Sequence, residues 1–137
     1  MPATKSKPKR KRSFPKKVLD AIREAKIIGI RAGTKPHRVI GIWAVVVEGR
    51  VFARSWGLKP RSWYRTFIEE PRGIIVVEDR EIPVRAVRTR SERLKDAVSG
   101  AYREKYKTPG ARVFVRGFAH QKRKDATMEL VPISGAR

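Results

Sequence analysis

Arg54-Ser55-Trp56-Gly57 is the part of this sequence whose residue types could do chemistry. It ends an extended segment. A short tryptophan-rich stretch with more basic residues, Lys59-Pro60-Arg61-Ser62-Trp63-Tyr64-Arg65, follows at once. A cation and a hydroxyl at a strand end, beside a helix start, suit a phosphate group. The arginine fork pairs bidentately with phosphate oxygens, and helix-start N–H groups add donors. The neighbouring indoles suit a flat ring attached to that phosphate. Tyr64 is the one group in the motif with acid–base chemistry, and packing is its competing role.

These residues need a frame. Lys16 to Ala25 carries Val18, Leu19, Ile22 and Ala25 at helical spacing, with Pro15 where a missing N–H costs nothing. Ile27 to Ala32 reads as a strand, and Gly33 to Pro36 as a turn. His37 to Val47 predicts one long, doubly buried strand, with Gly41 at a bulge. Glu48-Gly49 predicts a tight hairpin into a strand from Arg50 to Trp56. Alternation there puts Val51, Ala53 and Ser55 on one side, and Phe52, Arg54 and Trp56 on the other. Arg61 to Glu70 predicts a helix, buried through Trp63, Phe67 and Tyr64 and ended by Pro71 and Gly73.

Gly73 to Val77 and Glu81 to Arg88 predict two strands joined by a charged turn. Ser91 predicts an N-cap, opening a helix to about Tyr106 with a Leu94, Ala97, Val98, Ala101 and Tyr102 stripe. Thr108-Pro109-Gly110 breaks it. Arg112 to Phe118 and Thr127 to Val131 read as extended, with a polar loop from Gln121 to Asp125 between them. A helix is the alternative for 111–119. The expected fold is mainly β with flanking helices (α+β). Short turns between short strands predict a six-stranded antiparallel barrel. A disordered basic tail, 1–14, precedes a single domain, 15–137.

The chain has 137 residues and a net charge of +21. Its first seventeen residues hold eight Lys/Arg and no acid, which leaves +13 on the rest. No cysteine is present, so disulfides and thiolate chemistry are excluded. His37 and His120 are the only histidines, so a metal site is not expected. No apolar run approaches the roughly 20 residues that span a bilayer. A basic N-terminus without an apolar core is not a secretory signal, and a cytoplasmic location is expected.

The stretch from Arg38 to Val77 resembles the flavin- and deazaflavin-binding split β-barrel superfamily. Within it the chain is most similar to deazaflavin-dependent nitroreductase-like proteins and a neighbouring uncharacterised domain family. The matching features are the Trp43 strand, the Glu48-Gly49 hairpin, Val51-Phe52-Ala53-Arg54-Ser55 with Gly57, and Ser62-Trp63-Tyr64-Arg65. Thr66-Phe67 departs from the Asn-Leu pair common in the nitroreductase-like members.

The resemblance implies a split barrel, a homodimer, and FMN or a deazaflavin at the dimer interface, with hydride-transfer chemistry and no metal. By position, Arg54, Ser55 and Lys59 would hold the phosphate. Trp56 and Gly57 would shape the loop, and Trp43 and Trp63 would wall the ring. Other roles compete: Arg54 as a stem lying over a hydrophobic face, Trp43 and Trp63 as core, Arg61 and Arg65 as a solvated helix face.

A reading from another class is a nucleic-acid-binding barrel. It would use the tail residues Lys9, Arg10, Lys11 and Arg12, with Arg61 and Arg65, and a face of Arg38, Arg50, Arg54, Trp56 and Trp63, because cations with stacking aromatics bind single strands. A third reading is a barrel that has lost its cofactor and survives as a structural or chromosomal protein.

Overall fold

In a computed structural model that describes residues 13–35, 38–57, 59 and 62–133, the sequence forms seven strands and five helices. The tail cations Lys9 to Arg12, together with His37 and Arg61, lie outside the described residues. The strands are β1 (Ile28–Ala32), β2 (Ile40–Ile42), β3 (Ala44–Val47), β4 (Arg50–Arg54), β5 (Arg72–Val77), β6 (Arg80–Arg88) and β7 (Thr127–Pro132). The helices are α1 (Lys16–Glu24), α2 (Trp63–Glu69), α3 (Glu92–Lys105), α4 (Pro109–Phe118) and α5 (Gln121–Lys124). Among the described residues no helix is long and apolar enough to cross a membrane.

The sheet runs β2-β1-β5-β6-β7-β4-β3, antiparallel throughout. Its two edge strands are consecutive in sequence, with Trp43 alone between them, so one segment nearly closes the sheet into a barrel. This corrects the expected six strands to seven. The run predicted as one strand from His37 to Val47 divides at Trp43. Its first part pairs with β1 and its second with β4. The break has a cause in α3. The Tyr102 hydroxyl donates to the Trp43 carbonyl at 2.7 Å, and Lys105 Nζ donates to the Ala44 carbonyl at 2.7 Å. Backbone groups that would extend a ladder are satisfied from a helix about 60 residues away.

The Glu48-Gly49 hairpin forms as predicted. Both residues have positive φ (55° and 71°), the conformation a two-residue hairpin needs. Alternation along β4 is also as predicted. Val51 and Ala53 enter the barrel core with Ile28, Ile30, Ile75 and Leu130, plugged by Phe14, Val18 and Ile22 from the α1 region and by Tyr64 and Phe67 of α2. Phe14 is thus packed, one residue before the expected domain boundary. Phe52 faces outward into a second cluster with Val45, Leu94, Val98, Tyr102 and Phe118. Helices α3 and α4 therefore cover the outer face of β3 and β4.

Residues Arg112 to Phe118 are helical, not extended, and Gln121 to Lys124 form a helical turn in place of a loop. The Thr108 hydroxyl accepts from the Ala111 N–H, and Pro109 occupies the first turn. Both are helix-start signals. They outweigh the β preference of Val113, Phe114 and Val115.

Lys105 supplies one testable property of this packing. Its amine also donates to the Ile22 carbonyl, tying α1 and β3 to α3. Burial pushes its pKa from the ordinary 10.5 down to about 8. Between those values the unfolded chain holds a proton that the folded chain has released, so stability rises with pH across that window. Above about pH 10 the buried Tyr102 and Tyr106 act oppositely, because burial holds their hydroxyls protonated. The urea midpoint of the wild type is therefore expected to rise between about pH 7.5 and 9.5. In Lys105→Met that rise is expected to disappear. An unchanged slope in the variant would assign the effect elsewhere.

Candidate functional site

The strand end, the break at Trp43 and the start of α2 converge on one cleft of about 520 Å³. Its lining includes Trp43, Trp56 and Trp63 with Phe114 and Phe118 from α4, and Ser55, Gly57 and Ser62 at its polar margin. Ile40, Trp56 and Phe114, which stand at its mouth, are 38%, 41% and 47% exposed. Six of the seven residues predicted for a cofactor, Trp43, Arg54, Ser55, Trp56, Gly57 and Trp63, line this space. Lys59 is exposed and not part of the lining. Tyr64 is turned into the barrel core.

Each indole is fixed by its own neighbours. Trp43 stacks on Tyr106 with ring centroids 4.1 Å apart and planes 4° from parallel. Trp63 meets Phe67 edge-on. Trp56 is clamped most tightly. The Arg123 guanidinium lies 3.7 Å from its ring centroid and donates through Nε to the Trp56 carbonyl. Phe114 and Phe118 meet the same ring edge-on. Gly117 backs it so closely that a Cβ there would stand 2.4 Å from a ring carbon.

The polar residues have partners within the protein. Arg54 is 2% exposed. Its Nε donates to Thr127 Oγ1, one terminal nitrogen to Ser99 Oγ and the Phe118 carbonyl, and the other to the Lys95 carbonyl, over 2.6–2.9 Å. Four of its five N–H groups are thereby used. No carboxylate is among these partners, and burial lowers its pKa to about 10. The Ser55 hydroxyl donates to the Gly57 carbonyl, which holds the loop that carries Trp56. The Ser62 hydroxyl accepts from the Arg65 N–H and caps α2.

The structure therefore brings the predicted aromatic wall together and gives the predicted phosphate donors Arg54 and Ser55 internal work. Two cations of the composite basic face, Arg50 and Arg54, are likewise engaged within the protein. Arg50 is bound bidentately to the buried Glu129 at 2.8 and 3.1 Å, and Arg54 is internal. Arg65 is exposed on α2 and does not line the cleft. Sequence reading missed Ile40, Ile42, Ser62, Phe114, Phe118 and Arg123. The α4 residues carried a signal in Thr108-Pro109, but an extended assignment for 112–118 left no face to point at the cleft. Arg123 reaches Trp56 across 67 residues, with no local trace.

Residues 17–130 match a family model described as "Uncharacterized protein conserved in bacteria (DUF2255)". No curated protein matches the sequence. Among solved structures, the conserved hypothetical protein Rv2991 from Mycobacterium tuberculosis is similar at a TM-score of 0.55 and 16% identity, covering 96% of this chain and 86% of that one. At that identity the likeness is one of fold.

Proposed function

The chain belongs to the bacterial DUF2255 family, and we propose that its cleft binds a flat, ring-bearing cofactor of the flavin or deazaflavin class and serves hydride transfer to a small substrate. The observation that carries this is the aromatic cleft itself. Three tryptophans and two phenylalanines surround a space of about 520 Å³ that opens to solvent. A volume in this range, apolar walls and a few polar groups at the margin are what an aromatic ligand needs.

The residues fit such a group. Trp43, at the break between β2 and β3, and Trp56, just beyond β4, offer ring faces and edges to the same space. Ser55 and Gly57 shape the strand-end loop. The anionic end of the ligand would be met by Lys59 and by the terminal nitrogens of Arg123 beyond Trp56, because Arg54 is engaged within the protein. The bound ring would supply the hydride chemistry, and the chain would supply orientation and exclusion of water. The open side, where Ile40, Val113 and Phe114 are exposed, would be covered by a second copy in the homodimer that the resemblance implies.

A titration of nucleic-acid-free protein with FMN and with a deazaflavin cofactor, in moderately high salt and followed by cofactor fluorescence, tests this. Saturable binding to one of them is expected. Trp56→Ala is expected to weaken it more than about tenfold, on the scale of one lost aromatic contact. Absence of binding to both, or affinity indifferent to Trp56→Ala, would overturn the assignment.

A further inference from the structure

Helices α3 and α4 pack on the outer face of β3 and β4, and none of their buried apolar residues joins the cluster that holds β1, β5 and β6. Strand alternation identifies what the outer face of β1, β5 and β6 presents. In β1 Ile28, Ile30 and Ala32 are buried, so Arg31 points outward. In β5 Ile75 and Val77 are buried, so Arg72, Ile74 and Val76 point outward. In β6 Val84 and Ala86 are buried, so Pro83, Arg85 and Val87 point outward. Register brings the arginines together. Arg72 is directly opposite Arg85, and Arg31 is opposite Ile74, two residues along β5 from Arg72.

Directly opposed like charges destabilise a sheet. Opposite charge usually relieves them, yet Arg31, Arg72 and Arg85 make no ion pair among the described residues, while the carboxylates Asp20, Glu48, Glu92, Asp96, Asp125 and Glu129 are all engaged elsewhere. Glu81, the outward carboxylate of β6, is four residues from Arg85, about 13 Å along the strand.

We propose that this face takes the phosphate backbone of a nucleic acid, independently of the cleft and of base sequence. The three arginines span three strands, about 10 Å across, wide enough for successive backbone phosphates rather than one small anion. A second copy of the chain is a poorer occupant, because a two-fold contact would set these arginines against one another. The outward residues here include no aromatic ring, so the face offers no stacking platform and contacts backbone only. The net charge of +21, with eight cations in the first seventeen residues, adds long-range attraction.

The test uses the full chain and a fluorescently labelled 20-bp duplex of arbitrary sequence, read by anisotropy over about 50–200 mM salt. Arg31→Gln/Arg72→Gln/Arg85→Gln is compared with an equal charge loss on α3 and α4, Arg103→Gln/Arg112→Gln/Arg116→Gln. The first variant is expected to lose more than about tenfold in affinity at the lowest salt and to reduce the salt slope by about 2–3, one unit for each lost phosphate contact. The control is expected to lose less than about threefold. The single variants Arg72→Gln and Arg85→Gln, each reducing the slope by about 1, carry the test if the triple variant folds poorly. Equal losses in both triple variants would mean that net charge alone binds, and would overturn the proposal. So would no wild-type binding at the lowest salt, or a changed oligomeric state with unchanged duplex affinity. Each of these readouts leaves the cofactor titration unaffected, so the two readings fail separately.

Discussion

Arg54→Lys is expected to cost about 3 kcal/mol or more of folding stability, a fall of about 10 °C in Tm for a chain of this size. The guanidinium of Arg54 is buried and ties β4 to three other elements through four acceptors: Thr127 of β7, Ser99 and the Lys95 carbonyl of α3, and the Phe118 carbonyl that ends α4. These acceptors are arranged around a planar fork. An ammonium group is a compact point donor on a different stem and cannot reach them together. At least two would be left unpaired in the interior, at about 1–3 kcal/mol each. The Arg54 N–H also donates to the Tyr102 hydroxyl, which in turn donates to the Trp43 carbonyl, so disorder here would spread to the barrel closure and the cleft wall.

Denaturant midpoints of the wild type, Arg54→Lys and Arg54→Met separate two roles. A structural arginine loses stability in both variants. An arginine that chiefly holds a ligand phosphate would leave the midpoint of Arg54→Lys near that of the wild type and show its loss in binding alone. Burial at 2% exposure with four internal acceptors favours the first outcome.

Arg54 also marks where the sequence was legible. Period-two alternation placed it on the same side of β4 as Phe52, and that is where it lies. What it touches could not be read, because its partners are 41 to 73 residues away and become neighbours only once α3 crosses the outer face of the barrel. The same reason explains the break at Trp43. The run from Ile40 to Val47 has no local residue that forbids a continuous strand; Tyr102 and Lys105 divide it by bonding its carbonyls. The Glu48-Gly49 hairpin and the N-caps Ser62 and Ser91 rest on neighbours within three residues, and two of these, the hairpin and Ser91, were read correctly. For 112–118 the local signals disagreed. The apolar, β-branched content favoured a strand, Thr108-Pro109 favoured a helix start, and the choice was settled by burying Val115 and Phe118 against Tyr102 and Trp43. The cleft followed the same division. Residues in the strand-loop-helix motif were identifiable together, whereas the wall contributed by α4 depended on the misread segment.

Gly117→Ala is expected to destabilise the protein by about 1–3 kcal/mol, although alanine ordinarily improves a helix interior by about 1 kcal/mol over glycine. The added methyl would stand 2.4 and 2.5 Å from two carbons of the Trp56 ring. The indole cannot simply swing away, since Arg123 lies on its face and Phe114 and Phe118 hold its edge. Either α4 moves off β4 or Trp56 is pushed into the cleft, and both outcomes should change its fluorescence and weaken ring binding. A double-mutant cycle isolates the cause. In a Trp56→Ala background the clash has no partner, so Gly117→Ala should become neutral or stabilising by up to about 1 kcal/mol, reversing the sign seen in the wild type. A Gly117→Ala effect that stays destabilising without the indole would place the constraint in the helix backbone, and Trp56 would then be a wall that α4 does not set.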